Sequence, residues 1–417
     1  MRRVLAVLGA LVTVLSVGGV VRLAVPAVSA HSGVRAQLTF IGDALRGGAA
    51  VEAQRSFPEG YFFLYALYGL TWVEVGRLEP EAGRAEALRE ARWALAHLDT
   101  DAGRAPFSAA LTPSNGIFYR GWTNWLRGGV LSLQPPDRRD AGEAERFAAD
   151  SAEIAAAFGA ASTPFLQAYP GQAWPVDSTV AMASLRLHDT LLPPRYADTA
   201  TRWVADVRAR LDPATGLLPH TADPETGEAG EVARGTSQSM ITRFLVEIDP
   251  TFAREQYLRF RQLYVTRPLG LGPAVREYPA FVTHATGDVD SGPLVLGTSL
   301  SATVVTIGAA RVQGDRALAT ALASYGELAG LPVSTPRTKR YGFGVVPVGD
   351  AFVAWSKMSS AWVSRPPAFT APRAVAWWWP APLVLVLLLV AVAPWWRLLR
   401  RRLARPPRRR VPHEAVS

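Results

Sequence analysis

Hydrophobic and polar positions between residues 31 and 363 alternate mostly with a helical period. In Arg84–Leu98 the apolar side chains fall on one stripe and the charged ones on the opposite face. Tyr196–Leu211 and Phe252–Tyr264 have the same two-faced character. Other segments carry almost no charge on any side, which is typical of buried helices: Tyr61–Val73, Val176–Leu187, Ser239–Val246 and Leu294–Ala310. This alternation predicts an all-α domain in two layers, whose inner helices line a central cavity.

Strand signals are few and short. Asp212–Gly216 and Asp223–Gly227 share the pattern Asp-Pro-x-Thr-Gly, whose residues favour turns. We therefore expect a short hairpin between helices here, and a late strand pair at Gly342–Val348.

Long apolar segments at both ends predict where this domain is located. Val4–Val21 contains no charge and follows two arginines, and Pro380–Trp396 runs into an arginine-rich tail. About 20 apolar residues span a bilayer as helix, and arginine-rich flanks stay cytoplasmic. We expect residues 1–30 to be a signal peptide or N-terminal anchor, 31–363 an extracytoplasmic domain, 364–375 a proline-rich linker, 376–396 a transmembrane helix and 397–417 a cytoplasmic tail.

The N-terminal segment allows two interpretations. Val28-Ser29-Ala30 resembles the small-residue cleavage site of a secretory signal. The apolar run is long for a signal, however, and would also serve as an anchor. Either interpretation leaves the central domain outside, held by the C-terminal helix.

Charge and cysteine content narrow the function. The chain carries a net charge of +9, of which the tail from Arg397 supplies +7 and residues 1–30 supply +3, which leaves −1 on the rest. We therefore expect no nucleic-acid partner, although the tail is suited to contact anionic lipids. The absence of cysteine excludes thiol catalysis and cysteine metal sites. No histidine pair or glycine-rich motif indicates zinc or a nucleotide, so we expect neither a metal nor a cofactor.

Four carboxylates stand where loops lead into buried helices. Glu59 precedes Tyr61–Val73, and Asp177 follows Trp174-Pro175 at the start of another buried segment. Asp288 and Asp290 precede Pro293, which is suited to a first helical turn and would place both beside a helix N-terminus. We expect Asp177 and Asp290, then Glu59 and Asp288, to be the catalytic acids and bases, with capping as the alternative role of each.

Other side chains near these loops are suited to substrate binding: Tyr119, Trp122 and Trp174 for stacking on sugar rings, His284 for proton transfer or hydroxyl binding, and Arg234 and Tyr278 for polar contacts.

The chain resembles the α/α-toroid enzymes in the order of its segments. The turn at 212–217, a short apolar-histidine stretch and then Arg234–Ser239 opening a buried helix look like the six-hairpin glycosidases, unsaturated-uronyl hydrolases, sugar epimerases and linalool dehydratase-isomerase-like proteins. Phe57–Gly60, Trp174–Asp177 and Gly287–Pro293 are most similar to the linalool dehydratase-like branch. The resemblance implies an (α/α)6 toroid with short β-hairpin insertions. That branch's terpenoid chemistry involves cysteines, so the resemblance does not imply that reaction.

These observations lead to three hypotheses about function. The first is a membrane-tethered enzyme that acts on a carbohydrate or a lipid-linked glycan of the cell envelope through carboxylate acid–base catalysis. The second is a toroid lyase or isomerase for an apolar substrate. The third is a non-catalytic glycan-binding or envelope-assembly module, in which the aspartates serve only as helix caps.

Overall fold

A computed structural model describes residues 2–24, 30–283 and 286–396 of the protein and is mostly helical. The chain divides into two compact units, one formed by the two ends and one by residues 27–376. The α-helices of the described residues are α1 (Arg2–Ala24), α2 (Ala30–Arg46), α3 (Ala49–Ser56), α4 (Gly60–Gly76), α5 (Glu81–Leu98), α6 (Asp101–Arg104), α7 (Gly116–Ser132), α8 (Ala141–Ala160), α9 (Pro175–Leu191), α10 (Ala197–Arg208), α11 (Gly235–Ile248), α12 (Pro250–Tyr264), α13 (Leu300–Val312), α14 (Arg316–Ala329), α15 (Pro347–Met358) and α16 (Ala381–Val392).

The strands are only two or three residues long. β1 (Val265–Thr266), β2 (Ala274–Arg276) and β3 (Thr298–Ser299) form an antiparallel sheet in that order, and β4 (Val333–Ser334) pairs with β5 (Lys339–Arg340). The strand pair expected at Gly342–Val348 was wrong, because residues 342–344 form a 3-10 turn and α15 begins at Pro347. The predicted turns are present, and Gly216 and Gly227 donate their N–H groups to Asp212 and Asp223.

Six helices of the larger unit pack in a closed circuit. α4 contacts α7, α7 contacts α9, α9 contacts α11, α11 contacts α13, α13 contacts α15, and α15 contacts α4. We refer to these helices as the six-helix circuit. α4 shows why they are buried, since residues of the segment Gly60–Gly76 are apolar on all sides and nearly all are inaccessible to solvent.

A second set of helices covers the circuit. α5 packs on α4, α8 on α7 and α9, α10 on α9, α12 on α11, α14 on α13, and α2 on α15 and α4. α10 is typical of these covering helices, because its buried residues lie on one face while its charged residues are exposed. The predicted alternation of buried and two-faced helices is therefore confirmed at the level of single elements.

Side-chain contacts tie corresponding ends of the circuit helices together. At one end, the floor, Arg243 near the C-terminus of α11 pairs with Glu74 at the C-terminus of α4, and Trp362, just beyond α15, stacks on Trp125 of α7 at 4.5 Å. At the other end lie the N-termini of α4, α9 and α11 and the loop before α13. We call this the site end, because the predicted carboxylates lie there.

The start of α13 differs from the sequence-based prediction. Pro293 was expected in its first turn, but the helix begins at Leu300, and the hydroxyl of Ser299 caps it by accepting the N–H of Ala302 at 3.1 Å. Asp288 and Asp290 therefore lie in the loop before α13 and not in its first turn, and the hydroxyl of Ser299 also holds this loop by donating to the carbonyl of Ser291 at 3.0 Å.

The proline-rich segment predicted as a linker packs on the larger unit. The ring of Phe369 lies between the guanidinium groups of Arg254 and Arg261 of α12, at 5.0 and 5.3 Å. Arg254 also donates to the carbonyl of Pro367, and Arg261 to that of Pro372. At least part of residues 364–375 is thus fixed along α12.

In the smaller unit the two apolar ends of the chain pack together. The hydroxyl of Thr13 in α1 donates to the carbonyl of Ala391 in α16 at 2.9 Å and accepts the indole N–H of Trp395 at 2.8 Å. Arg3–Leu23 is long and apolar enough to cross a membrane, as an anchor or a signal sequence would be, whereas the helical segment Ala381–Trp395 is shorter than such a span. The predicted tail at 397–417 and most of the cleavage motif lie outside the described residues.

Candidate active site at the site end of the circuit

Three of the predicted carboxylates share one electrostatic environment. Asp177 lies in the first turn of α9, Glu59 immediately precedes α4, and Asp290 lies in the loop before α13. The charges of Asp290 and Glu59 both act on Asp177 and disfavour its ionised form. Three separate segments of the chain thus bring acidic side chains to one place.

Asp177 is the most perturbed of the three. The residue is only 3 % exposed, and burial, followed by the charges of Asp290 and Glu59, raises the pKa of its carboxyl well above the usual value. Among the described residues no cation pairs with it. A buried carboxyl in this setting keeps its proton to a higher pH than a free carboxyl does and is suited to act as a general acid.

Trp122 supplies a polar atom next to Asp177. The indole N–H of Trp122 offsets part of the rise in the pKa of Asp177. This N–H is buried and has no hydrogen-bond partner of good geometry within the described part of the chain. A buried donor without a full partner is costly for stability, which sets this position apart from the ordinary core.

Glu59 is oriented by a tyrosine in the loop before α9. The hydroxyl of Tyr169, in the loop before α9, donates a hydrogen bond to Oε1 of Glu59. Burial and the carboxylates of Glu59, Asp177 and Asp290 raise the pKa of Tyr169, so its hydroxyl stays protonated and remains a donor. Within the described structure the Glu59 side chain does not cap α4.

Asp288 and Asp290 have different roles although they are two residues apart. The Asp288 carboxylate accepts the N–H groups of Asp290 and Ser291 at 3.1 and 2.9 Å and pairs with Arg234 at 2.6 Å. Burial opposes ionisation of Asp288, but these contacts prevail and lower its pKa. Asp288 therefore holds the loop in shape, which is the structural role that the sequence left open.

The carboxyl of Asp290 has a different environment from that of Asp288. Burial of the carboxyl group and then the charge of Asp288 raise the pKa of Asp290. The residue is nevertheless exposed to solvent. An accessible carboxylate of raised pKa beside a buried acid is suited to act as a base.

Arg234 connects this loop to α11. Its Nε donates to Oε1 of Glu277 at 2.8 Å, its Nη2 pairs with Asp288, and its guanidinium lies 5.2 Å from the ring centre of Tyr278. Glu277 is itself buried and accepts the hydroxyl of Thr236 at 2.7 Å. Arg234 was predicted to bind substrate, and in the structure its contacts with Glu277 and Asp288 join α11 to the Asp288–Asp290 loop.

His220 completes the surroundings of Arg234. Because arginine only donates hydrogen bonds, Nε2 of His220 must accept from Nη1 of Arg234, 3.2 Å away. The ring proton is therefore on Nδ1, which donates to the hydroxyl of Ser237 at 2.6 Å. Burial and the charge of Arg234 lower the pKa of His220 to about 3, so the ring stays neutral at physiological pH.

Aromatic rings surround the carboxylates. Trp174, immediately before α9, meets Tyr169 edge to face at 5.5 Å. Phe63 of α4 contacts Phe118 and Trp122 edge to face and Phe352 of α15, at 5.3 to 5.6 Å. Phe63, Phe352 and Trp174 are only partly buried, so these rings offer apolar surface next to the acids.

The remaining predicted residues divide into those near the site and those away from it. Tyr119 is away from it, because its hydroxyl donates to the carbonyl of Leu98 and to Asp99 on the covering side of α7. Tyr278 is half-buried beside Arg234, and its hydroxyl donates to the carbonyl of Thr286 at 3.4 Å. His284 lies outside the described residues.

The sequence did not single out Tyr169 and Glu277 as site residues. Tyr169 stood among several aromatics in its loop, and only its pairing with Glu59, far away in sequence, distinguishes it. Glu277 follows Arg276, which in the sequence looks like its ion-pair partner. In the structure Glu277 pairs with Arg234. Across the described ranges no group of three or more acidic or histidine residues is arranged to hold a metal ion.

No family model matches the chain, and no curated protein matches it significantly.

Proposed function

We propose that this protein is a membrane-tethered, extracytoplasmic enzyme with an (α/α)6 toroid, and that it cleaves glycosidic bonds in an envelope glycan by carboxylate acid–base catalysis. The observation that carries the proposal is Asp177, a buried carboxyl without a cationic partner among the described residues, next to two further carboxylates. The closed circuit of six helices with six covering helices supports the toroid.

In this proposal Asp177 protonates the glycosidic oxygen. Its raised pKa favours the protonated form that a general acid needs, and a nearby carboxylate then acts at the anomeric carbon, either by activating water or as a nucleophile. Asp290, which solvent reaches, is the first candidate for this second role, and Glu59 is the other. Tyr169 positions Glu59 through its hydrogen bond. The proton lost from Asp177 is restored from the water that completes the hydrolysis.

The surrounding side chains suit a sugar that has both apolar and polar faces. Trp174, which is only partly buried, offers a flat ring for stacking, and Tyr169 meets it edge to face. The apolar segments at both ends of the chain support a tether, because Arg3–Leu23 is long enough to span a bilayer. An arginine-rich tail after the C-terminal helix favours a cytoplasmic C-terminus.

The test uses full-length protein in lipid nanodiscs and a panel of neutral and acidic envelope polysaccharides. Release of reducing ends is measured for the unchanged protein and for Asp177→Asn, Asp290→Asn and Glu59→Gln. We expect losses of about 100-fold or more for Asp177→Asn and smaller ones for the others. Asp137→Asn, at an exposed position, is the matched control and keeps full activity. Glycan binding without turnover, equal in all variants, would favour the non-catalytic module instead.

A second candidate is a lyase or isomerase for an apolar substrate. Phe63, Phe118 and Phe352 beside the carboxylates favour it, because phenylalanine has no polar edge for a sugar hydroxyl. The same variants assayed with prenyl alcohols separate the two candidates: turnover of an alcohol that depends on Asp177, without release of reducing ends, establishes the lyase.

A further inference from the structure

Two loops at the site end of the circuit expose large apolar side chains, and five of these lie within residues 265–274 and 330–347. Leu269 lies between α12 and α13, and Leu331, Phe343, Val345 and Val346 lie between α14 and α15. Each is between 53 and 80 % exposed. We call these five residues the apolar patch. Isolated exposed apolar residues are ordinary, whereas a group of this size on one surface indicates a partner.

Both loops lie at the C-terminal end of α14. The second loop is closed by a hydrogen bond from the N–H of Gly342 to the carbonyl of Gly330 at 2.8 Å, which places Phe343 near Leu331. In the first loop Gly272, three residues after Leu269, lies directly against the ring of Tyr325 in the last turns of α14. The apolar residues of both loops are therefore presented at the same end of α14.

The backbone at the patch is unusual. Leu269, Leu331 and Phe343 have φ of 53°, 46° and 61°, in the left-handed region that side chains other than glycine rarely adopt. In each case the large side chain is exposed and not packed in the core. Local packing therefore gives no reason for this strained geometry, and a partner outside the domain would.

The charge around the patch identifies the kind of partner. Residues 265–274 and 330–347 contain no acidic residue and four cations, Arg267, Arg337, Lys339 and Arg340, of which Lys339 is paired with Glu327 of α14 at 2.8 Å. Apolar side chains that enter the acyl boundary, flanked by cations that meet anionic headgroups, are the features of an interfacial membrane contact.

We propose that the apolar patch docks on the surface of an anionic bilayer. The chain also carries an apolar helix of membrane-spanning length, which would keep the domain near such a surface. Docking through the patch orients the site end toward the lipid, so a membrane-borne substrate reaches the carboxylates without crossing bulk water. The proposal concerns the surface alone and holds whichever reaction the site performs.

The test exploits the absence of cysteine from the chain. Leu269→Cys and Phe343→Cys are each labelled with an environment-sensitive NBD fluorophore in full-length protein, with one molecule per nanodisc. Leu78→Cys is the matched control, since Leu78 is 68 % exposed but follows α4 at the floor. Discs of phosphatidylcholine are compared with discs that also contain phosphatidylglycerol, and quenching by doxyl-labelled lipid is measured.

We expect blue-shifted emission and about twofold quenching at 269 and 343 in anionic discs, and neither effect at 78. Arg337→Gln with Arg340→Gln is expected to reduce the quenching toward its level in neutral discs. Emission at 269 and 343 like that at 78 would overturn the proposal. So would a blue shift without lipid quenching, which would mean that protein covers the patch.

Discussion

At the scale of single residues, Asp177 is the position where stability and chemistry conflict. A buried carboxyl surrounded by like charges costs folding free energy, and the described structure provides no cation to offset it. A position used only for stability would carry a neutral side chain of the same shape. The persistence of the acid here is what the proposed proton transfer requires.

Asp177→Asn should therefore stabilise the protein while it abolishes activity. The raised pKa means that folded protein binds this proton more tightly than unfolded protein does. The stability from that proton is complete below the unfolded pKa of about 4 and is lost as pH rises through the raised folded pKa. Since asparagine does not titrate, we expect a gain on the order of 1 kcal/mol at pH 7 that shrinks toward pH 4.

Thermal unfolding of both proteins between pH 4 and pH 8 measures this difference. Asp137→Asn, whose side chain is exposed, should leave the curve unchanged. A variant at 177 that is less stable than the parent at pH 7 would show that the carboxylate contributes to the fold, contrary to our assignment.

Sequence identified the acids but not their partners. Glu59, Asp177 and Asp290 stood out because each lies where a polar loop leads toward a buried helix, and that signal is local. The bond from Tyr169 to Glu59 and the triple use of Arg234 join segments that are distant in the chain. No local pattern encodes such pairs.

At the scale of elements, the floor of the circuit rests on a buried ionic group. Arg243 is inaccessible to solvent and donates to Glu247 at 3.0 Å and to the carbonyl of Ser360 at 3.0 Å, with Glu74 at 3.4 Å. The two glutamates in turn accept N–H groups of Ser360 and Trp362. One cation thus holds α4, α11 and the segment after α15 together.

Arg243→Met should destabilise the protein strongly, because it leaves two buried carboxylates without a cation. We expect a loss of about 3–5 kcal/mol in the free energy of unfolding, measured by urea titration. The triple variant that adds Glu74→Gln and Glu247→Gln should recover much of the loss, since its side chains are neutral. A loss under about 1 kcal/mol for Arg243→Met alone would contradict this account.

Element type could be predicted from sequence more reliably than element ends. The helical period located α5, α10 and α12 closely because burial on one face repeats along the chain. The start of α13 was misplaced because Pro293 has good helix-opening chemistry, yet β3 pairing with β2 extends the loop to Ser299. Contacts across the sheet overrode a local preference.

At the scale of the whole molecule, the apolar ends predict a topology that can be measured directly. Asp137→Cys lies on the larger unit, and Ser417→Cys lies on the arginine-rich tail. We expect a membrane-impermeant maleimide to label the first in intact cells and the second only after permeabilisation. Labelling of both in intact cells would place the tail outside and overturn the proposed orientation.

The closed circuit also determines when, during synthesis, the larger unit can finish folding. α4 is among the first helices to leave the ribosome, and its partner α15 is the last of the six, so their contact waits for nearly the whole domain. Until then the apolar face that α4 presents to α15 has no cover, and long-range closure of this kind is slow. The larger unit can therefore complete its core only after nearly all of its residues have been synthesised.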